Sequence, residues 1–164
     1  MLENNHQRSR LDLVIRPFTP EDAPQVSELI CRCLREVNIQ DYTSEQIERM
    51  IPGFSPDTLP ARFAGCDTAL ALLNNTIIGI GLLATNEIRT MFVSPDHHGH
   101  GVGKSIMQYL ERLALQRGVP ELIVFSSVTA RDFYASQGYH IVETTEHPIA
   151  GTRYKAVKSL PASL

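Results

Sequence analysis

The stretch from Glu87 to Arg117 constrains this chain more than any other, because it spells strand, turn, glycine-rich loop and helix without a break. Ile88 to Val93 is a short apolar run with β-branched and aromatic side chains, which favours a strand. Ser94-Pro95-Asp96 ends it, since proline cannot continue a ladder and serine and aspartate favour turns. Gly99, Gly101 and Gly103 alternate next. Val102, Ile106, Tyr109, Leu110, Leu113 and Ala114 then recur at helical spacing, so the helix has one apolar face.

Such an arrangement suits an anion. The start of a helix carries N–H groups without intrahelical partners and a partial positive charge. Glycines let a phosphate approach the main chain where a side chain would block it. His98 to Lys104 therefore reads as a pyrophosphate cradle, with Lys104 adding a positive charge. A P-loop is excluded because its first glycine would fall at His98, which disfavours a small NTPase. A dinucleotide fingerprint also fails, because lysine and serine follow Gly101-Val102-Gly103.

The pattern that does fit is [Q/R]-x-x-G-x-[G/A] between a strand and a helix, here His98-Gly99-His100-Gly101-Val102-Gly103. It resembles the GNAT superfamily of acetyl-CoA-dependent N-acetyltransferases, with His98 in the place of glutamine or arginine. A second signature follows. Ser127 to Tyr139 resembles the family pattern N-x-x-A-x-x-[FL]-Y-x-x-x-G-[FY] at Ala130, Phe133, Tyr134, Gly138 and Tyr139, with Ser127 where asparagine is common. The two signatures in this order are far more specific than either alone, and the whole is most similar to small bacterial YafP-like acetyltransferases.

The resemblance implies an α/β (α+β) single domain over residues 11–158, with tails at 1–10 and 159–164. Its sheet would be mixed, mostly antiparallel and six- to seven-stranded, flanked by about four helices. The central strands at 88–93 and 122–126 would splay apart. It implies acetyl-CoA as cosubstrate, its pyrophosphate on His98, Gly99, His100, Gly101, Val102, Gly103 and Lys104. The main-chain groups of Met91, Phe92 and Val93, with Ser127 and Ala130, would hold the pantetheine arm. Tyr134 would protonate the departing thiolate, since a phenol with an ordinary pKa of about 10 keeps its proton at neutral pH. Glu87 is the candidate base, acting through water. Strand period also puts Glu87, Arg89, Met91 and Val93 on one face, so Glu87 pairing with Arg89 is an equal alternative. A non-catalytic acyl-CoA-binding or sensing domain on the same fold is the other functional reading.

Composition narrows the partners. A length of 164 residues suits one domain, and a net charge of −3 leaves no broad basic footprint for nucleic acid. The polar start and the lack of a span-length apolar run point to a cytoplasmic location with no membrane contact. The acceptor is an amine of unspecified kind, and a homodimer is compatible with the family. Cys31, Cys33 and Cys66 suggest buried small side chains and no disulfide framework. His97, His98 and His100 beside Asp96 supply neither converging ligands nor supporting hydrogen bonds, so no metal is expected.

The remaining elements follow from local signals. Leu11 to Phe18 alternates as a strand. Thr19-Pro20-Glu21-Asp22 opens a helix running to about Val37, and Ser44 caps a second. Residues 52–66, rich in proline, read as a loop, either a plain connection or a segment that orders over substrate. Thr68–Leu73 and Thr76–Ala84 form a hairpin at Asn74-Asn75, Leu122–Phe125 a strand buried on both faces, and Thr129–Ser136 a short helix. Tyr139–Thr144 and Arg153–Val157 close the sheet.

Overall fold

The computed structural model describes residues 12–162, so the expected tail at 1–10 lies outside the described residues. Strand β1 (Leu13–Arg16) leads through a 3₁₀ turn at Pro20–Asp22 into helix α1 (Ala23–Glu36). The Asp22 carboxylate accepts the Thr19 N–H at 2.8 Å and takes both terminal nitrogens of Arg16 at 2.8 Å, which ties strand to helix. Helix α2 (Ser44–Met50) is capped by Thr43 and not by Ser44. The cap needs a glutamine or glutamate three residues on, and Gln46 stands in that relation to Thr43.

Residues 52–66 are not the expected loop. They hold a 3₁₀ turn at Ile51–Phe54 and helix α3 (Leu59–Phe63). Phe54, Leu59 and Phe63 are buried in the core, and Phe63 meets Phe18 edge-on at 5.0 Å. The prolines misled because they sit in the first turn of each element, where no N–H is needed.

The rest is β2 (Asp67–Leu73), β3 (Thr76–Ala84), β4 (Glu87–Val93), α4 (Val102–Gln116), β5 (Glu121–Ser126), α5 (Arg131–Ser136), β6 (His140–His147) and β7 (Gly151–Ser159). The seven strands lie in the order β1-β2-β3-β4-β5-β7-β6, antiparallel except for β4–β5. That parallel pair is bridged by α4, as a parallel connection requires. Asn74 and Asn75 turn the β2–β3 hairpin at φ 50° and 64°. Of the tail expected at 159–164, Ser159 belongs to β7 and the Leu160 N–H bonds the Pro120 carbonyl at 2.9 Å, while residues 163–164 lie outside the described residues. Among the described residues no helix is long and apolar enough to cross a membrane.

The sheet has an apolar layer on each face. One gathers α1, α2 and α3 on Ile80 and Leu82; the other gathers α4 on Leu83, Leu122 and Val124. Gly79 and Gly81 of β3 let α4 settle on the strand. A Cβ at Gly81 would stand 2.7 Å from Ile106 Cγ2 and 3.1 Å from Leu110 Cδ1. Gly81→Ala should therefore destabilise the fold by about 1–3 kcal/mol, the usual cost of overpacking. Chemical denaturation with an unchanged m-value checks this, and an unchanged midpoint would contradict it.

The feature that makes the site is a break in the sheet. β4 and β5 pair only through Glu87–Ile123 and Ile88–Val124, and then separate. Between Ile80 and Leu82 of β3 the β4 register slips, and Thr90 takes φ 52°. A bulge bends its strand and leaves backbone groups unpaired. It also resets the alternation of faces, which corrects the expectation that Glu87, Arg89, Met91 and Val93 share one. Arg89 stands opposite Leu82 and Phe92 opposite Ile80, on the α1 side, whereas Met91 and Val93 pack in the α4 layer. β5 likewise is not buried on both faces. Leu122 and Val124 are buried, while Ile123 and Phe125 are half-buried and Phe125 borders the opening.

Candidate active site

Two cavities meet where β4 and β5 part. The first, about 520 Å³, runs over the start of α4. It gathers Met91, Phe92, Val93, His98, Gly99, Gly101, Val102, Gly103, Lys104, Ser127, Ala130 and Tyr134 from the sequence-predicted set. His100 is exposed and lines neither cavity. The second, about 760 Å³, lies on the α1–α3 side and is bordered by Glu87. Asn38, Met91, Phe92, Ser127, Ala130 and Tyr134 border both, so these residues form the passage between them.

The loop before α4 keeps its main chain open. Gly99 and Gly101 take φ 77° and 79°, and a Cβ built on either would meet nothing within 4 Å. No acceptor among the described residues meets the N–H groups of residues 99 to 104; Ser105 N–H is the first to find one, at Gly101 O, 3.0 Å. Unpaired amides at a helix start suit an anion. Gly103 has a different reason for being glycine, since its Cβ would lie 3.0 Å from the Phe133 ring.

Two side chains depart from expectation. His98 donates its Nε2–H to the Val93 carbonyl at 2.8 Å, so that nitrogen is committed to the end of β4. The Cys33 thiol donates to the same carbonyl at 3.2 Å. Val93 thus has its carbonyl occupied from within the chain. Burial pushes the Cys33 thiol up to about 12, so it is an inert donor. His97 is half-buried with Nδ1 unpartnered. Among the described residues no three histidine, cysteine or acidic side chains come together as metal ligands.

Tyr134 sits at the passage with 8% exposure. Its ring meets Phe133 at 5.1 Å and Tyr139 at 6.0 Å, both edge-on, and its phenol has no hydrogen-bond partner among the described residues. Burial raises its pKa well above the ordinary tyrosine range, and nearby Tyr42 adds to that. Glu87 pairs with Arg89 at 2.9 Å, so the sequence-level ion pair forms while the carboxylate still borders the second cavity. Ser127 Oγ accepts the Ala130 N–H at 3.3 Å, which leaves its own hydrogen to donate.

A family model for the acetyltransferase (GNAT) domain matches residues 38–154. The chain belongs to the GNAT acetyltransferase family. Among solved structures it is similar to a GCN5-related N-acetyltransferase from Rhodopseudomonas palustris, 29% identical, TM-score 0.84, over 90% of this chain and 95% of that one. The fold is shared with the PaiA N-acetyltransferase of Thermoplasma acidophilum in complex with coenzyme A, 19% identical, TM-score 0.80, covering 92% and 100% of the two chains. It is shared too with a phosphinothricin acetyltransferase from Sinorhizobium meliloti in complex with acetyl-CoA, 14% identical, TM-score 0.69, covering 90% and 88%. A search of curated proteins finds no significant match.

The GNAT signatures do not cover every residue at the cleft. Asp41, from the link between α1 and α2, accepts Thr129 N–H at 3.0 Å and Thr129 Oγ1–H at 2.6 Å. It ties that link to the β5–α5 loop across the opening, and its Oδ2 stays buried without a partner. Asn38 and Asp41 lie in a link without motif or periodicity, and Gln137 occupies a variable position of the second signature, so no sequence signal marks them. Cys33 was legible only as a buried helical residue.

Proposed function

We propose that the chain transfers acetyl from acetyl-CoA to a primary amine by direct attack, with Tyr134 as general acid. The observation that carries the reading is the position of Tyr134 on the wall of both cavities, where they join. The amides of residues 99–104 and the open faces of Gly99 and Gly101 fit a pyrophosphate. The buried Asp41 Oδ2 and the Ser127 hydroxyl fit the amides of a pantetheine arm. When bound, acetyl-CoA supplies the acetyl group as a thioester.

The chain's own residues then have distinct tasks. Met91 and Phe92 hold the arm in the splay, where an N–H aimed at the developing oxyanion stabilises it. Glu87 takes the amine proton through water as nitrogen bonds the acetyl carbon and the carbon–sulfur bond breaks. Tyr134 gives its phenol proton to the leaving sulfur. Motif pattern alone supports a place beside the small YafP-like members; the reading places the chain in the cytoplasm and is compatible with a homodimer.

Thiol release from acetyl-CoA with a panel of amines tests the reading. Saturable, amine-dependent release is expected. Tight acetyl-CoA binding with no release for any amine would favour a sensing domain. Glu87→Gln is expected to lower kcat/KM by about ten-fold, below the ~10² of a directly placed base, because water bridges the gap. An unchanged kcat/KM would assign Glu87 to the Arg89 ion pair alone.

A further inference from the structure

The acceptor-side cavity carries a charge opposite in sign to the chain. The formal net charge is −3, yet Arg49, Arg62, Arg89 and Arg153 border this cavity and Glu87 is its one carboxylate. Glu87 is already committed to Arg89. Neither Arg49, Arg62 nor Arg153 forms an ion pair among the described residues.

The guanidiniums are held, but their hydrogen-bonding edges are spare. Arg62 lies over the Phe54 ring at 4.3 Å and Arg153 over the Phe125 ring at 4.7 Å. Ring contact holds a planar cation while its N–H groups stay available in the plane. Arg62 gives one N–H to the Gly53 carbonyl at 3.3 Å. Arg153 Nε is buried and has no acceptor. Burial and the neighbouring Arg89 both hold Arg62 below its ordinary range, so these two cations stand close enough to repel. His147 Nδ1 accepts the N–H groups of Ile149 at 3.2 Å and Ala150 at 3.0 Å, so its proton sits on Nε2 as a further donor.

We infer that the acceptor is a small primary amine that also carries an oxyanion, a carboxylate or phosphonate, seated on the Arg62, Arg89 and Arg153 guanidiniums. This rests on the second cavity being the acceptor side. The planar fork of arginine matches either group through paired hydrogen bonds. The buried, unpartnered Arg153 Nε is costly, and a ligand oxyanion would offset that cost, with the exposed Arg62 and Arg89 guanidiniums adding charge at the rim. The same cations disfavour an ammonium and so promote the neutral amine that attacks. Polycationic amines meet that repulsion with no compensating group.

The test compares matched acceptors in the thiol-release assay: amino acids against their amides and decarboxylated amines, 2-aminoethylphosphonate against ethylamine, and spermidine and kanamycin as polycations. An oxyanion should raise kcat/KM by about ten-fold or more, as charge-assisted hydrogen bonds imply. The carboxylate and phosphonate arms show which group the site prefers. Arg153→Gln and, independently, Arg62→Gln should narrow the gap, mainly through acceptor KM, with the acetyl-CoA KM near wild type. Arg153→Lys should restore only part of it. Preference for neutral or polycationic amines, or a gap intact in both folded variants, overturns the inference. Calorimetric titration of the same amino acids separates the two readings. Binding without release sinks the transferase and keeps the anion site; release without anion preference does the reverse. Neither binding nor release for any oxyanion-bearing amine overturns the inference as well.

Discussion

Tyr134→Phe should lower kcat by about 10²–10⁴, the range for a positioned general acid, while acetyl-CoA affinity stays close to wild type. Phenylalanine keeps the edge-on contacts with Phe133 and Tyr139, and the deleted hydroxyl has no partner to strand. The melting temperature should therefore hardly move, which separates chemistry from packing. The buried site raises the pKa of the phenol, and that looks unhelpful for an acid. The same burial penalises a thiolate, however, so the proton's destination depends on the difference between two anions in one medium. Ionisation of Tyr134 then contributes no limb to the wild-type pH profile below about pH 10. Single-turnover acetyl transfer and a titration of acetyl-CoA check this. Full turnover in the variant would leave Tyr134 as a packing residue.

The fold was legible where chemistry is local. Alternating Gly99, Gly101 and Gly103 ahead of an apolar helical face announce a helix whose amides stay open. Asn74-Asn75 announces a hairpin because asparagine tolerates positive φ. The splay was foreseen from family likeness, but its physical cause was not. Thr90 is β-branched and sits at φ 52°, a conformation its residue type argues against. The surrounding sheet imposes it, and such strain tends to gather at functional sites. From this single residue follows the misassigned strand face that put Met91 and Val93 with Glu87.

Other gaps in legibility are tertiary. Prolines at 52 and 60 resembled loop punctuation because a first helical turn and a loop accept proline equally. Only contact with α1 and β3 makes Phe54, Leu59 and Phe63 core residues. The four arginines bordering the second cavity lie at positions 49, 62, 89 and 153. No window of sequence contains them together, and their sum becomes an electrostatic feature only once the sheet brings them round one opening.

Gly101→Val should raise the Kd for acetyl-CoA by about ten- to a hundred-fold, through two additive effects. The first is steric. Gly101 lines the first cavity and a Cβ there meets nothing within 4 Å, so valine's branches would occupy open space at the cavity wall. Each hydrogen bond to a charged group is worth about 1.5–3 kcal/mol, and displacing the anion by a methyl's width forfeits one or more of them. The second is conformational. Gly101 takes φ 79°, where a β-branched residue is strained, so relaxation would swing the N–H groups of Val102 and Gly103 out of line. The cost to the protein itself should stay near 1–2 kcal/mol, since the position is exposed and no packing is lost. Gly101→Ala should fall between the two, because it carries most of the strain and less of the bulk. Calorimetry with coenzyme A and with dephosphorylated pantetheine locates the effect. The variant should weaken only the diphosphate-bearing ligand. Equal weakening of both would mean that the loop before α4 shapes the cleft without gripping a diphosphate.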